Sequence, residues 1–329
     1  MWETKNTFER HPKATLAAIF ALTALLLLLA TELFLGAFSG LGNPPLYEVS
    51  PLYGYRLKPN QFIAPKGGMG FLFGARVTTN NLGLRAAQPW DAKTQDKVLF
   101  LGDSVTYGGQ YVSDEDLFSS IAARDVPGYK IGNGGINAWG VENIHGLVVD
   151  HGFNPARYYV TCLIEGDFYR GLTRINGLPY WSHRPSSALY DLLMFFMTTA
   201  GWKRYDAVVD FRADTEEGGK VVDRAVRRLK EMDRYLTLKG MVHLVYILPN
   251  REQVLGNEKI DDRVADALSR NGVRASYLLH KLKAKSYDAA TMRGWFHDGV
   301  HLEPVGHMVY GRLIGEDLRT LLPPVDQAK

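Results

Sequence analysis

Lys97-Val98-Leu99-Phe100-Leu101-Gly102-Asp103-Ser104-Val105-Thr106-Tyr107-Gly108 is the stretch on which the reading of the chain turns. An apolar run, Val98 to Leu101, stops at a glycine and an aspartate, the pattern of a buried strand that feeds a turn. Ser104 follows directly, where a backbone turning toward a helix leaves a hydroxyl exposed.

Working outward, Ser113 with Asp116 three residues on resembles a capping box and predicts a helix to about Arg124. Tyr129 to Gly132 is a strand candidate, Val141 to Val149 a helix, and Tyr158 to Ile164 a second buried strand. Val222, Ala225, Leu229, Met232 and Leu236 recur at helical steps, and Gly240 stands where a helix-terminating glycine is expected. Met241 to Leu248 reads as the next strand, Ile260 to Ala284 as a further helix, and Pro304 to about Leu322 as the last. Strands alternating with helices predict an α/β domain with a mainly parallel sheet covered on both faces and sites at the strand C-terminal ends.

A serine hydroxyl is a poor nucleophile until an oriented base takes its proton. The C-terminal segment Phe296-His297-Asp298-Gly299-Val300-His301-Leu302-Glu303-Pro304-Val305-Gly306-His307 offers one. Asp298 and His301 are three apart, so a turn can bring the carboxylate to the imidazole Nδ1 and leave Nε2 facing Ser104. His297, His301 and His307 make a poor metal site because the same loop serves this pairing. Neither a metal nor a cofactor is expected.

Gly102-Asp103-Ser104-Val105-Thr106-Tyr107-Gly108 resembles the first block of the SGNH (GDSL-type) hydrolase superfamily, and Asp298-Gly299-Val300-His301-Leu302-Glu303-Pro304-Val305-Gly306-His307 resembles its last. The resemblance covers about residues 97 to 320. It implies a flavodoxin-like three-layer fold and ester hydrolysis or acyl transfer through an acyl-serine, with Ser104 as nucleophile, His301 as base and Asp298 as its orienting partner. Asn133-Gly134-Gly135-Ile136-Asn137-Ala138-Trp139-Gly140 resembles the second block, with Ala138 where the family's oxyanion-hole glycine stands. In Glu165-Gly166-Asp167, Gly166 replaces the family's asparagine, whose amide would donate to the oxyanion. The hole is therefore assigned to Ser104, Ala138 and Gly166, with Asn137 or Asn133 as a substitute amide or a turn residue. Asp103 reads as a structural residue of the turn.

The segment from Phe168 to Ala213 interrupts this pattern. It contains Tyr180, Trp181, His183, Trp202 and the apolar run Leu192 to Met197, and reads either as a lid or wall touching the membrane or as an extra helix completing the core. Arg170 and Arg174 read as surface residues or as contacts for an anionic substrate.

Toward the N-terminus, Ala14 to Thr31 carries no charge and Leu25 to Leu29 is an unbroken leucine run. With Leu33 to Phe38 the stretch reaches the roughly 20 residues that span a bilayer; Glu32 interrupts it near one end. Lys5, Arg10 and Lys13 precede it and no lysine or arginine follows until Arg56, which places the N-terminus in the cytoplasm and the domain outside. The rival is a cleaved signal peptide, with Gly36, Ala37, Ser39 and Gly40 near a cleavage point. The organisation expected is a cytoplasmic segment 1–13, a transmembrane signal-anchor 14–38, a tether and extension 39–95, a hydrolase-like domain 96–323 with an insertion 168–213, and a tail 324–329. The extension carries prolines 44, 45, 51, 59 and 65 and Gly67, Gly68 and Gly70, and alternating Tyr53, Tyr55, Phe71 and Phe73 suggest edge strands.

Composition agrees with one sizeable domain plus appendages: 329 residues, 46% hydrophobic and 22% charged. Lysine and arginine exceed aspartate and glutamate by 38 to 35, a net charge of +3, and no basic cluster interleaved with aromatics marks a nucleic-acid partner. Cys162 is the sole cysteine, so an intrachain disulfide, a multi-cysteine metal site and a lipidated cysteine after the apolar segment are all excluded. Three functions are expected: an extracytoplasmic esterase acting on a cell-surface glycan or lipid, an O-acyltransferase using the same acyl-serine, or a catalytically weak binding or assembly module.

Overall fold

The computed structural model describes residues 7–63, 75–86, 88–175, 182–199, 206–207, 210–285 and 287–325. Lys5, Pro65, Gly67, Gly68, Gly70, Phe71, Phe73, Tyr180, Trp181 and Trp202 lie outside them.

Five strands form the central sheet: β1 (Lys97–Gly102), β2 (Lys130–Asn133), β3 (Tyr158–Leu163), β4 (Val242–Ile247) and β5 (Ala275–Tyr277). All pairings are parallel and the spatial order is β2-β1-β3-β4-β5, the flavodoxin-like order, whose switch point lies between β1 and β3. Side chains of the strands alternate between two cores. Leu99, Leu101, Tyr159 and Leu163 face one side, and Val98, Phe100, Tyr158, Val160 and Cys162 the other. Helices cover both faces, which gives the expected three layers.

On the first face lie α4 (Val141–His145), α6 (Glu216–Leu238) and α7 (Asp262–Arg270). On the second lie α3 (Phe118–Ala123), α8 (Leu278–Ala284) and α9 (Pro304–Leu321). Three further helices are α1 (Pro12–Phe34), the one-turn α2 (Ser104–Tyr107) after β1, and α5 (Ala188–Thr199). α6 agrees with its apolar spacing, since Val222, Ala225, Leu229, Met232 and Leu236 are all buried.

Three local expectations are corrected. Ile260 to Ala284 is not one helix: it breaks into α7, the edge strand β5 and α8, with Gly272 in the left-handed region at φ 66° turning the chain between them. The Ser113 capping box does not form. Ser113 Oγ instead accepts from Arg76 N at 3.0 Å, and a 3-10 turn, Asp114–Asp116, precedes the short α3. Residues 47–57 do form short strands, as the alternation suggested, but pair with each other and not along the main sheet: Tyr47–Ser50 and Gly54–Leu57 make an antiparallel hairpin, whose Tyr47, Tyr53, Tyr55 and Leu57 are buried in the first core.

The segment Pro12–Ser39 is a continuous helical stretch of 28 residues, long and apolar enough to cross a membrane, with none of it buried. The same length and composition also suit a signal sequence.

Candidate active site

Ser104 sits where β1 ends. Gly102 brings the chain against its neighbours: a Cβ there would lie 2.1 Å from Thr106 Oγ1 and 2.3 Å from Cys162 O, so any side chain would force β1 and β3 apart. Asp103 caps α2, its Oδ1 accepting from Val105 N at 2.9 Å, in keeping with a structural turn residue. Gly108, at φ 81°, ends the turn. The serine is thus presented at the C-terminal end of the sheet, beside the β1/β3 switch point.

The loop after Phe296 delivers the other two residues. A bridge between Phe296 and Leu302 and a bond from His297 N to His301 O of 2.8 Å close it into a tight turn. Asp298 Oδ1 accepts from Val300 N and His301 N, both at 2.8 Å, and Oδ2 lies 2.6 Å from His301 Nδ1. His301 Nε2 lies 2.8 Å from Ser104 Oγ. Burial of Asp298 would raise its pKa, but bonds from the His301 amide and imidazole and from the Val300 amide outweigh it and hold the group at about 2. The ionised carboxylate can only accept, so Nδ1 carries the proton and Nε2 is left to accept from the serine hydroxyl. The structure brings Ser104, Asp298 and His301 together.

Ala138 adopts the left-handed conformation, φ 59°, at a cost of about 1 kcal/mol for a residue with a Cβ. Two hydroxyls hold it there: Tyr55 Oη donates to Asn137 O at 2.5 Å, and Thr173 Oγ1 donates to Ala138 O at 2.8 Å. In a trans peptide the N–H points opposite to the carbonyl, so the Tyr55 bond also aims the Ala138 N–H, which has no acceptor among the described residues.

The remaining sequence candidates divide. Gly166 is exposed, in the 3-10 turn Glu165–Tyr169 that follows β3. Asn133 is buried and spent on the turn: its Nδ2 donates to Thr106 O at 2.5 Å and its Oδ1 accepts from Gly135 N at 2.8 Å. This leaves Asn137, whose side chain is exposed, as the free amide of the pair. Arg174 is exposed. Arg170 is neither a solvated residue nor free for substrate. It bonds Asp167 at 2.6 Å, Asp210 at 3.2 Å and Trp139 O at 3.1 Å, and lies 3.6 Å from Asp103.

Asp103 and Asp167 are both buried behind the serine. Burial raises both carboxyls and the charge of Asp103 pushes Asp167 higher still, while the Arg170 guanidinium beside them acts in the opposite direction on both. Arg85 is a second internal cation. It is buried and bonds Asp114 Oδ1 at 2.8 Å and the carbonyls of Tyr107, Gly109 and Val112 at 2.5 to 2.8 Å, fixing the loop behind α2. Sequence reading missed Arg85, Tyr55 and Thr173, because none carries a local signature.

A cavity of about 600 Å³ bordered by Trp90, Arg124, Tyr129 and Lys130 contains none of the three hydrogen-bonded residues. Among the described residues no three His, Cys, Asp or Glu side chains are grouped to hold a metal.

No protein-family model matches the chain, and no curated protein matches it. Solved structures do. A lipolytic protein of the G-D-S-L family from Veillonella parvula is 12% identical, with 68% of this chain and 97% of that one covered and a TM-score of 0.36. LAE5, an α/β hydrolase enzyme from the metagenome of Lake Arreo, is 13% identical, with 70% and 97% covered and a TM-score of 0.40. A two-domain esterase active on acetylated mannans is 12% identical, with 71% of this chain and 52% of that one covered and a TM-score of 0.41. At such values the reading of the site rests on its own geometry.

Proposed function

We propose that the chain is a serine ester hydrolase of the SGNH type, with Ser104 as nucleophile, His301 as general base and Asp298 as the residue that orients it and stabilises its protonated form. The observation that carries this is the continuous hydrogen-bonded series from Asp298 through His301 to Ser104 Oγ. In this reading His301 Nε2 takes the hydroxyl proton as Oγ bonds to the acyl carbon, then returns it to the departing alcohol. Water repeats the sequence on the acyl-serine, releasing the acid. The N–H groups of Ser104 and Ala138 are the main-chain donors for the oxyanion, and Gly166 supplies no side-chain donor.

The span is assigned to 14–38 and the hydrolase domain to 96–323, with the insertion 168–213, the N-terminus cytoplasmic and the domain outside. That placement suits acetyl or other short acyl esters of a cell-surface glycan or lipid. Gly166 favours one alternative, a weakly catalytic binding or assembly module.

A fluorophosphonate probe and a chromogenic acetyl ester separate the two. The full chain should take up one probe per molecule and hydrolyse the ester, and Ser104→Ala should lose labelling and at least about 10³-fold in rate. Equal rates for the two proteins would reject hydrolysis and leave the binding module.

A further inference from the structure

Helix α5 has its polarity reversed relative to a helix on a water-facing surface. Ala188, Asp191 and Met194, three residues apart, are buried, whereas Tyr190, Leu193 and Phe196 form the outward stripe and are 38%, 54% and 59% exposed. A solvated helix turns its polar residues outward. Here the outward stripe is apolar, and the helix's one charged residue, Asp191, points inward and accepts from Gly42 N at 3.0 Å.

The first turn of α5 is bonded to the end of the apolar span. Glu32 Oε1 accepts from Ala188 N at 2.6 Å and Oε2 from Leu189 N at 2.9 Å. Those are amides at a helix start, which helical geometry leaves without internal partners and which favour negative charge. Counting from Ala14 at 1.5 Å per residue, Glu32 stands about 27 Å along the helix, close to the far side of a hydrocarbon layer about 30 Å thick. The carboxylate that interrupts the apolar run is thereby satisfied, and α5 begins at the depth where the span leaves the hydrocarbon. In sequence, α5 is preceded by Tyr180-Trp181 and Arg184 and followed by Trp202-Lys203-Arg204-Tyr205, the aromatic and cationic composition of segments at a membrane–water boundary.

We propose that α5 is a second membrane element, an interfacial helix whose Tyr190, Leu193 and Phe196 stripe lies among the lipids of the outer leaflet, held to the span by Glu32 and to the turn after it by Asp191. It rests on the reading of Pro12–Ser39 as a membrane span. The insertion that carries α5 leaves and rejoins the domain at the Arg170–Asp210 bridge, on the strand-end side where Ser104 lies, so the lipid contact belongs to the catalytic side of the domain.

Nitroxide labels on the full chain, in vesicles of phosphatidylethanolamine and phosphatidylglycerol, test this. Single cysteines at Leu26, Leu193 and Leu238 are introduced over Cys162→Ser. The label at Leu238, exposed at the C-terminal end of α6, should collide more with a water-soluble nickel chelate than with oxygen; at Leu26 and Leu193 that ratio should be reversed. Leu26 in lipid with Leu193 matching Leu238 overturns the interfacial helix and leaves the span standing. An immobilised Leu193 label shielded from both quenchers overturns it in favour of a protein cover. Leu26 outside lipid, or lost by cleavage, overturns the span and the inference together.

Discussion

Gly166 has room for the side chain it lacks: a Cβ there would meet nothing closer than Ile164 Cδ1, at 3.7 Å. One oxyanion donor is worth about 10²- to 10³-fold in rate where it has been removed. Gly166→Asn is therefore expected to raise kcat on an acetyl ester by up to about 10²-fold with little change in KM, and steady-state kinetics of the variant check it; an unchanged kcat would mean that position 166 does not face the oxyanion. That Ser104, Asp298 and His301 come together was legible in the sequence because they are packed into two short segments with fixed offsets. Tyr55 was not: its partner, the Asn137 carbonyl, is 82 residues away and becomes its neighbour only when the hairpin packs. Arg85 was equally silent, because what it binds are main-chain carbonyls, which leave no trace in residue identity.

At the scale of elements, the last helix is fastened to α3 by a histidine. His307, fully buried near the start of α9, accepts from Phe118 N at 3.2 Å through Nδ1 and stacks on the Phe118 ring. Burial, and then the charge of Arg85, lower its pKa to about 3, so the fold holds the ring neutral. A histidine depressed below its unfolded value of about 6.5 contributes in full above that pH and loses its contribution as pH falls toward 3. The slope is at most about 1.4 kcal/mol per pH unit. Denaturant midpoints from pH 7 to pH 4 should fall for the wild type, and His307→Gln should remove that part of the slope; identical slopes would contradict the assignment. The three-residue strand β5 was hidden from sequence reading because so short an edge strand offers too few alternating positions to compete with the helical pattern on both sides. Ser113 failed as a cap because Arg76 N had a claim on its hydroxyl. Patterns that repeat within one element survive folding; those contested by a partner elsewhere do not.

For the whole molecule, the arrangement of span and domain predicts how the protein is held. On the proposed reading of residues 14–38 as a span, the basic residues before it and their absence until Arg56 predict an orientation with the C-terminus outside. In a bacterial host, alkaline phosphatase fused after Lys329 should be active, and the full chain should stay with the membrane through an alkaline carbonate wash. A mature N-terminus between residues 36 and 41 would instead identify a signal peptide. The parallel sheet and its two covering layers were readable from the alternation of strands and helices, and the extent of the N-terminal extension's burial was not, since prolines and glycines mark irregular backbone without saying what it packs against. The hairpin at residues 47–57 carries a practical consequence for anyone preparing a water-soluble fragment. Trimming to the first sheet strand near residue 96 would discard Tyr55, the donor that orients the Ala138 amide, along with Arg85. A cut just after the apolar helix, near residue 43, retains both, so the folded unit begins some fifty residues earlier than its central sheet does.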